Sequence, residues 1–226
     1  MKKIFISRNL QPDSLFRQML ENQGFIVDGM SLVELNAVDF SLPKAIPDWI
    51  FFYSKNGVRF LLEKIDLAYF SNIKIAAIGE GTAKFLTTCQ LTPDFIGNGN
   101  PGETARAFSR LATGKKVLFP RANNSRQSVQ YLLNDSITVL DLIVYENTVK
   151  TDFSIPYRDC LVFTSPLNAS AYFNKYPIQK SVFIFSIGQT TAKKLQELGV
   201  SDFFIANNPS EAALAQAVID ILQPPL

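Results

Sequence analysis

The sequence predicts an α/β protein of two domains with parallel sheets, and three observations point to it. Its apolar segments IFIS, WIFFY, IKIAAI, KVLF, CLVF and VFIFSI are continuous rather than alternating, the pattern of strands covered on both faces by helices. Between them lie amphipathic spacings. Val58, Leu61, Leu62 and Ile65 fall at i, i+3, i+4 and i+7, and Leu214, Val218, Ile221 and Leu222 at i, i+4, i+7 and i+8, which marks helices with one apolar face. Third, the chain repeats itself. KIFISRN answers KVLFPRA, aligning Arg8 with Arg121; FFYSKNGV answers LVFTSPLNA, aligning Ser54 with Ser165; IGEGTAKFL answers IGQTTAKKL, aligning Gly79 with Gly188; NPGETARAF answers NPSEAALAQ, aligning Glu103 with Glu211. The offsets are 113, 111, 109 and 108 residues in chain order, so the duplicated unit is about 110 residues long.

Each copy reads, in order, as strand, helix, strand, linker, then strand, helix, strand, helix, short strand, helix. The domains do not follow the copies. The helix ending at Ala112 reaches the strand at Lys116 through little more than Thr113, Gly114 and Lys115, the length of a turn inside a domain. Longer proline-bearing stretches lie within each copy, SLPKAIP at 41–47 and VKTDFSIPYRD at 149–159, and such stretches mark boundaries. The expected division is therefore a discontinuous domain of residues 1–40 plus 150–226 and an inserted domain of residues 46–146, with linkers near 41–47 and 147–159.

Composition removes several functions. Apolar residues make up 47% and charged residues 19% of 226, with a net charge of +2, which is ordinary for a globular chain and leaves no basic footprint for nucleic acid. The longest apolar runs fall far short of the roughly 20 residues of a membrane helix, and the run opening at MKKIFISRN is too short for a signal-peptide core; a cytoplasmic protein is expected. Cys89 and Cys160 lack metal-ligand spacing and read as buried apolar residues. There is no histidine, which excludes Ser-His and Cys-His nucleophiles and the usual zinc and haem ligands.

Ligands of such sheets bind outside the carboxyl ends of the strands, where helix N-termini point. The matched motifs lie there: Arg8; Ser54, Lys55 and Asn56; Gly79 to Thr82; Arg121; Ser165 to Asn168; Gly188, Thr190 and Thr191. In each Gly-x-x-Thr turn the glycine would let the backbone approach closely and the threonine would cap the helix, leaving free N–H groups for an anion. Neither turn is a P-loop or a dinucleotide fingerprint. A ligand with several carboxylates or phosphates is expected, held in a cleft between the domains by both turns. Tyr145, in LIVYENTV, ends an apolar run just before the second linker; it is either a half-buried aromatic or a proton donor at the mouth of that cleft. Glu34 and Glu146 match between copies without forming a carboxylate pair.

These residues resemble the uroporphyrinogen-III synthase family. The resemblance rests on the Arg8 strand end, the FFYSKNGV and VFTSPLNA strand ends, the IGEGTA and IGQTTA turns, the VYENT segment and the NPSEAALAQAV helix, and spans essentially the whole chain. It implies two flavodoxin-like domains joined by a two-stranded linker around a cleft, and a cofactor-free, metal-free, dehydrating cyclisation of hydroxymethylbilane to uroporphyrinogen III with inversion of the last ring. It further implies a monomer, with the substrate handed over by the preceding pathway enzyme. Tyr145 matches the family's tyrosine that assists loss of the hydroxyl, and Ser54, Thr82, Ser165, Thr190 and Thr191 match its substrate-facing turns, with Arg8, Lys55 and Arg121 as added anchors. Gln189 and Lys55 stand where many members carry proline. The competing reading is a non-enzymatic two-domain binding protein for an anionic metabolite; a third is an interaction module with a vestigial cleft.

Overall fold

A computed structural model describes residues 1–179 and 181–223. Residue 180 and residues 224–226, which the sequence reading assigns to the discontinuous domain, lie outside the described residues. The first copy contains β1 (Lys3–Ile6), α1 (Leu15–Glu21), β2 (Ile26–Gly29), β3 (Val33–Ala37), β4 (Trp49–Phe52), α2 (Lys55–Leu62), β5 (Lys74–Ala77), α3 (Glu80–Thr88), β6 (Phe95–Ile96) and α4 (Pro101–Ala112). The second contains β7 (Lys116–Ala122), β8 (Thr138–Val149), β9 (Cys160–Phe163), α5 (Pro166–Lys175), β10 (Phe183–Ser186), α6 (Gln189–Glu197), β11 (Phe204–Ile205) and α7 (Glu211–Leu222).

The chain divides into two compact units, Met1–Glu34 with Thr148–Leu226, and Leu35–Asn147. The first carries a sheet in the order β2-β1-β9-β10-β11 and the second a sheet in the order β3-β8-β7-β4-β5-β6. The strand pairs β1/β2, β1/β9, β9/β10, β10/β11, β7/β8, β4/β7, β4/β5 and β5/β6 are all parallel. Counted from β1 and from β7, the five parallel strands of both sheets follow the order 2-1-3-4-5, the flavodoxin-like winding. Each unit thus joins the first two strands of one copy to the last three of the other. The turn at Gly114 (φ +71°) makes this possible in the inserted unit, returning the chain from α4 straight into β7, with the Lys115 N–H donating to the Ala112 carbonyl at 3.0 Å.

Alternation along the strands fills both faces of each sheet. Ile50 and Phe52 of β4 pack with Val58, Leu61 and Leu86 from α2 and α3, whereas Trp49 and Phe51 pack with Phe108 of α4. In the other unit Ile4 and Ile6 join Phe16, Leu214 and Val218 from α1 and α7, and Phe5 joins Ala169, Tyr172 and Leu195 from α5 and α6. All four residues of β4 and of β9 are buried, which is why these strands are apolar at every position.

The structure differs from the sequence reading in three places. The first crossing between units falls at residues 34 and 35, inside β3 and ahead of the linker expected near 41–47, while the second, at residues 147 and 148 inside β8, falls at the start of the linker expected near 147–159; β3 and β8 are hydrogen-bonded neighbours. The two proline stretches are held by core contacts: Leu42, with Phe40 just before its stretch, packs on the inserted unit, and Phe153 and Ile155 pack on the discontinuous one. The helix expected after β7 is only a single 3-10 turn at Gln130–Leu132; Gln127 takes φ +51°, and the N–H groups of Val129 and Gln130 donate to the Tyr53 hydroxyl instead of extending a helix. Finally, α2 stops at Leu62, so Ile65 packs on the core from beyond its end.

Candidate active site

In the 2-1-3-4-5 winding, chain reversal opens a crevice at the carboxyl ends of the first and third strands. In the inserted unit these strands are β7 and β4. Ser54 follows β4 in extended conformation and caps α2, its Oγ accepting the Gly57 N–H at 3.1 Å. Glycine is required at 57, because a Cβ there would lie 2.8 Å from the Pro120 carbonyl oxygen of β7. Lys55 is exposed and Asn56 half-buried.

Tyr145 reaches this point through a bulge. β7 and β8 pair in parallel register up to Arg121 with Ile143, and the next pair is Ala122 with Tyr145, leaving Val144 extra. Leu140, Leu142 and Val144 alternate onto the α2 face, and the bulge turns Tyr145 onto that face as well. Its ring is buried and stacks on Phe60, centroids 5.0 Å apart and planes 13° apart, with the hydroxyl 3.3 Å from Ser54 Oγ. Tyr145 ends the apolar run read from the sequence, and the strand that carries it continues to Val149.

Beside Ser54 is an open hollow of about 460 Å³ lined by residues 53–55, 78–82 and 97–99. It brings together Ser54, Lys55, Gly79 and Thr82 from the sequence reading, and adds Tyr53, Gly97, Asn98 and Gly99, which that reading misses. The string GNGN between β6 and α4 is the available signal. A Cβ on Gly97 would lie 2.5 Å from Thr104 side-chain atoms and 2.6 Å from the Ile78 carbonyl, and Gly99 has φ +86°. Gly97→Ala is therefore expected to destabilise the inserted unit by about 2 kcal/mol through overpacking, measurable as a lowered urea midpoint. Burial pushes the Tyr53 phenol up to about 12, so this lining group stays neutral at physiological pH.

The Gly-x-x-Thr turns work differently from the expectation. The N-caps of α3 and α6 are Gly79 and Gly188 themselves, both extended and with no side-chain cap. Thr82 and Thr191 are the third helical residues; their side chains are buried, and their N–H groups donate to the Gly79 and Gly188 carbonyls at 3.1 Å. Thr190 is exposed. The two glycines are also unequal. A Cβ on Gly79 would lie 3.2 Å from the Gly99 nitrogen, whereas one on Gly188 would meet nothing within 4 Å.

In the discontinuous unit the crevice strands are β1 and β9, tied by the Thr164 N–H to Ser7 Oγ (2.9 Å) and Thr164 Oγ1 to the Ser7 carbonyl (2.8 Å). Ser165 caps α5, accepting from Asn168 N (3.2 Å) and Nδ2 (2.8 Å). Asn168 is buried and its Oδ1 accepts the Leu32 N–H at 2.7 Å, so its amide braces the fold instead of facing a ligand. Half-buried Arg8 donates from Nη1 to Glu211 at 3.3 Å. Burial pushes the Glu211 carboxyl up, but donation from Ser14 Oγ, Phe16 N and Arg8 outweighs it and holds the group below its ordinary range.

Arg121 is corrected from anchor to brace. It is buried, its Nε and Nη2 donate to Asp141, and its Nη1 donates to the Ala122 and Asn123 carbonyls at 2.8 and 3.1 Å. Four of its five N–H donors are thus committed within the inserted unit, and the buried guanidinium is held by the fold.

The family model described as Uroporphyrinogen-III synthase HemD matches residues 14–216. The chain belongs to the uroporphyrinogen-III synthase family. It is similar to the crystal structure of uroporphyrinogen-III synthetase from Helicobacter pylori, at 26% identity and a TM-score of 0.76, with 98% of this chain and 100% of that one covered. The fold also matches a mutant uroporphyrinogen III synthase from the extremely thermophilic bacterium Thermus thermophilus, at 18% identity and a TM-score of 0.55, with 100% of both chains covered. Among curated proteins none matches. Membership makes this chain an enzyme of haem biosynthesis, acting on a tetrapyrrole. Among the described residues no helix is long and apolar enough to cross a membrane.

Proposed function

We propose that this uroporphyrinogen-III synthase is a cyclising hydro-lyase that converts hydroxymethylbilane to uroporphyrinogen III with inversion of ring D, as a cytoplasmic monomer. The family match over residues 14–216 carries the reading, and the placement of Tyr145 beside Ser54 supports it. The substrate brings its own leaving group and nucleophile, so the protein's task is to hold eight carboxylates and fold the chain for the inverting closure. In this reading the phenolic proton of Tyr145 passes to the leaving hydroxyl, the C–O bond breaks and water departs, leaving an azafulvene cation. Attack within the bound chain passes through a spiro-pyrroline intermediate, and the proton lost as the pyrrole ring is restored returns to the tyrosine. The uncapped first turns of α3 and α6 offer N–H groups to carboxylates. Arg8 and Lys55 add charge; Arg121 and Asn168 serve as braces.

The test supplies enzymatically generated hydroxymethylbilane and identifies the product isomer after oxidation. Uroporphyrin III is the expected product. Uroporphyrin I alone, the spontaneous product, would return the chain to the binding-protein reading.

A further inference from the structure

The duplication places two serines, Ser54 and Ser165, at equivalent strand ends and as equivalent helix caps, yet their hydroxyls are not equivalently engaged. A serine oxygen has two acceptor lone pairs and one proton. On Ser165 both lone pairs are taken by Asn168, through its backbone N–H and its side-chain amide. On Ser54 the position answering Asn168 is Gly57, which supplies only a backbone N–H. No side chain fits there, because a Cβ would lie 2.8 Å from the Pro120 carbonyl oxygen. The capacity left on Ser54 Oγ is met by the Tyr145 hydroxyl at 3.3 Å. The bulge in β8 and the stack on Phe60 bring that hydroxyl to it.

We propose that Ser54 is the positioning residue of Tyr145, a role that its duplicate Ser165 does not have. In the resting enzyme the two hydroxyls share one hydrogen bond, which fixes the rotation of the phenolic O–H about a ring already held by Phe60. When the Tyr145 O–H bond breaks and its proton joins the leaving hydroxyl, the Ser54 hydroxyl turns to donate to the phenolate oxygen. The Ser54 proton never leaves Oγ, and Tyr145 is restored by the proton lost on ring closure. This role rests on the reading of the chain as a synthase that uses Tyr145.

The test measures kcat and KM for uroporphyrinogen III formation in the wild type, Ser54→Ala, Ser54→Gly, Ser54→Thr, Tyr145→Phe and the double variant Ser54→Ala/Tyr145→Phe. Ser54→Ala is expected to lower kcat about tenfold, the factor carried by one net hydrogen bond, with KM changed less than about twofold. Ser54→Gly should show the same loss with little change in unfolding midpoint, since glycine caps a helix nearly as well as serine, and Ser54→Thr should restore most of the rate. In the Tyr145→Phe background Ser54→Ala should cost nothing further, the non-additivity of residues acting as one unit. A full tenfold loss in that background, or no loss in the wild-type background, would overturn the role of Ser54 while leaving the synthase reading intact. A wild type that yields only uroporphyrin I would overturn the synthase reading and this role with it.

Discussion

Tyr145→Phe is expected to slow uroporphyrinogen III formation by about 100-fold, near the lower end of what a positioned acid contributes, without abolishing it. Phenylalanine fills the same volume and keeps the stack on Phe60, so the site keeps its shape. What disappears is the hydroxyl at 3.3 Å from Ser54 Oγ. Ser54 still caps α2 through Gly57, and stability should fall by about 1 kcal/mol, the net value of one hydrogen bond. KM should hold, because in this role the phenol acts on the leaving hydroxyl rather than on a substrate carboxylate. The residual rate comes from a substrate that loses its hydroxyl unaided once held in the productive fold. Single-turnover kinetics with isomer analysis checks this, and an unaltered rate removes Tyr145 from the chemistry.

Asp141→Asn is expected to destabilise the inserted unit by about 2 kcal/mol and to depress activity as well. Breaking a fully buried ion pair costs roughly 3–5 kcal/mol because a charge is left buried without its partner. Here the Arg121 side chain is 8% exposed but that of Asp141 38%, and solvent access to the carboxylate reduces the figure. Burial pushes the Asp141 carboxyl up, yet the bonds from Arg121 and Gln130 outweigh it and hold the group below its ordinary range. A depressed carboxylate adds stability above its unfolded pKa of about 4 and loses it as pH falls through the folded value. The gap between wild type and Asp141→Asn in urea midpoints should therefore be constant from about pH 7 to about 5 and narrow below about 4. The effect on activity follows from position. Arg121 Nη1 donates to the Ala122 and Asn123 carbonyls, pinning the bulge that turns Tyr145 toward Ser54. Arg121→Lys cannot substitute, since an ammonium lacks the planar fork that reaches Asp141 and both carbonyls together. Equal midpoints for wild type and Asp141→Asn at neutral pH would refute the brace.

Several pairs that match in sequence diverge in the fold. Arg8 and Arg121 end equivalent strands, but the residue opposite Phe119 across β7 and β8 is Asp141, whereas the residue opposite Ile6 across β1 and β2 is Gly29. Arg121 is therefore drawn into the protein, while Arg8 remains half-buried against Glu211. Ser54 and Ser165 part over Gly57 and Asn168. Gly79 is constrained by the backbone of Gly99, while Gly188 has open space around it. Tyr145 is legible as a candidate, but the bulge that aims it leaves no mark in LIVYENTV.

By itself the sequence determined the α/β class, the duplication and the family. Continuous apolar strands, amphipathic spacings and repeated turn residues are properties of neighbouring positions, and a linear reading captures them. Only the tertiary structure decided at which residue the chain first crosses between units and which of two matched side chains is consumed by the fold. Those outcomes depend on register and on what a neighbouring element brings opposite: a carboxylate against Arg121, a carbonyl against Gly57, a serine hydroxyl against Tyr145. Such partners lie well apart in sequence, and a single inserted residue in β8 changes which of them meet.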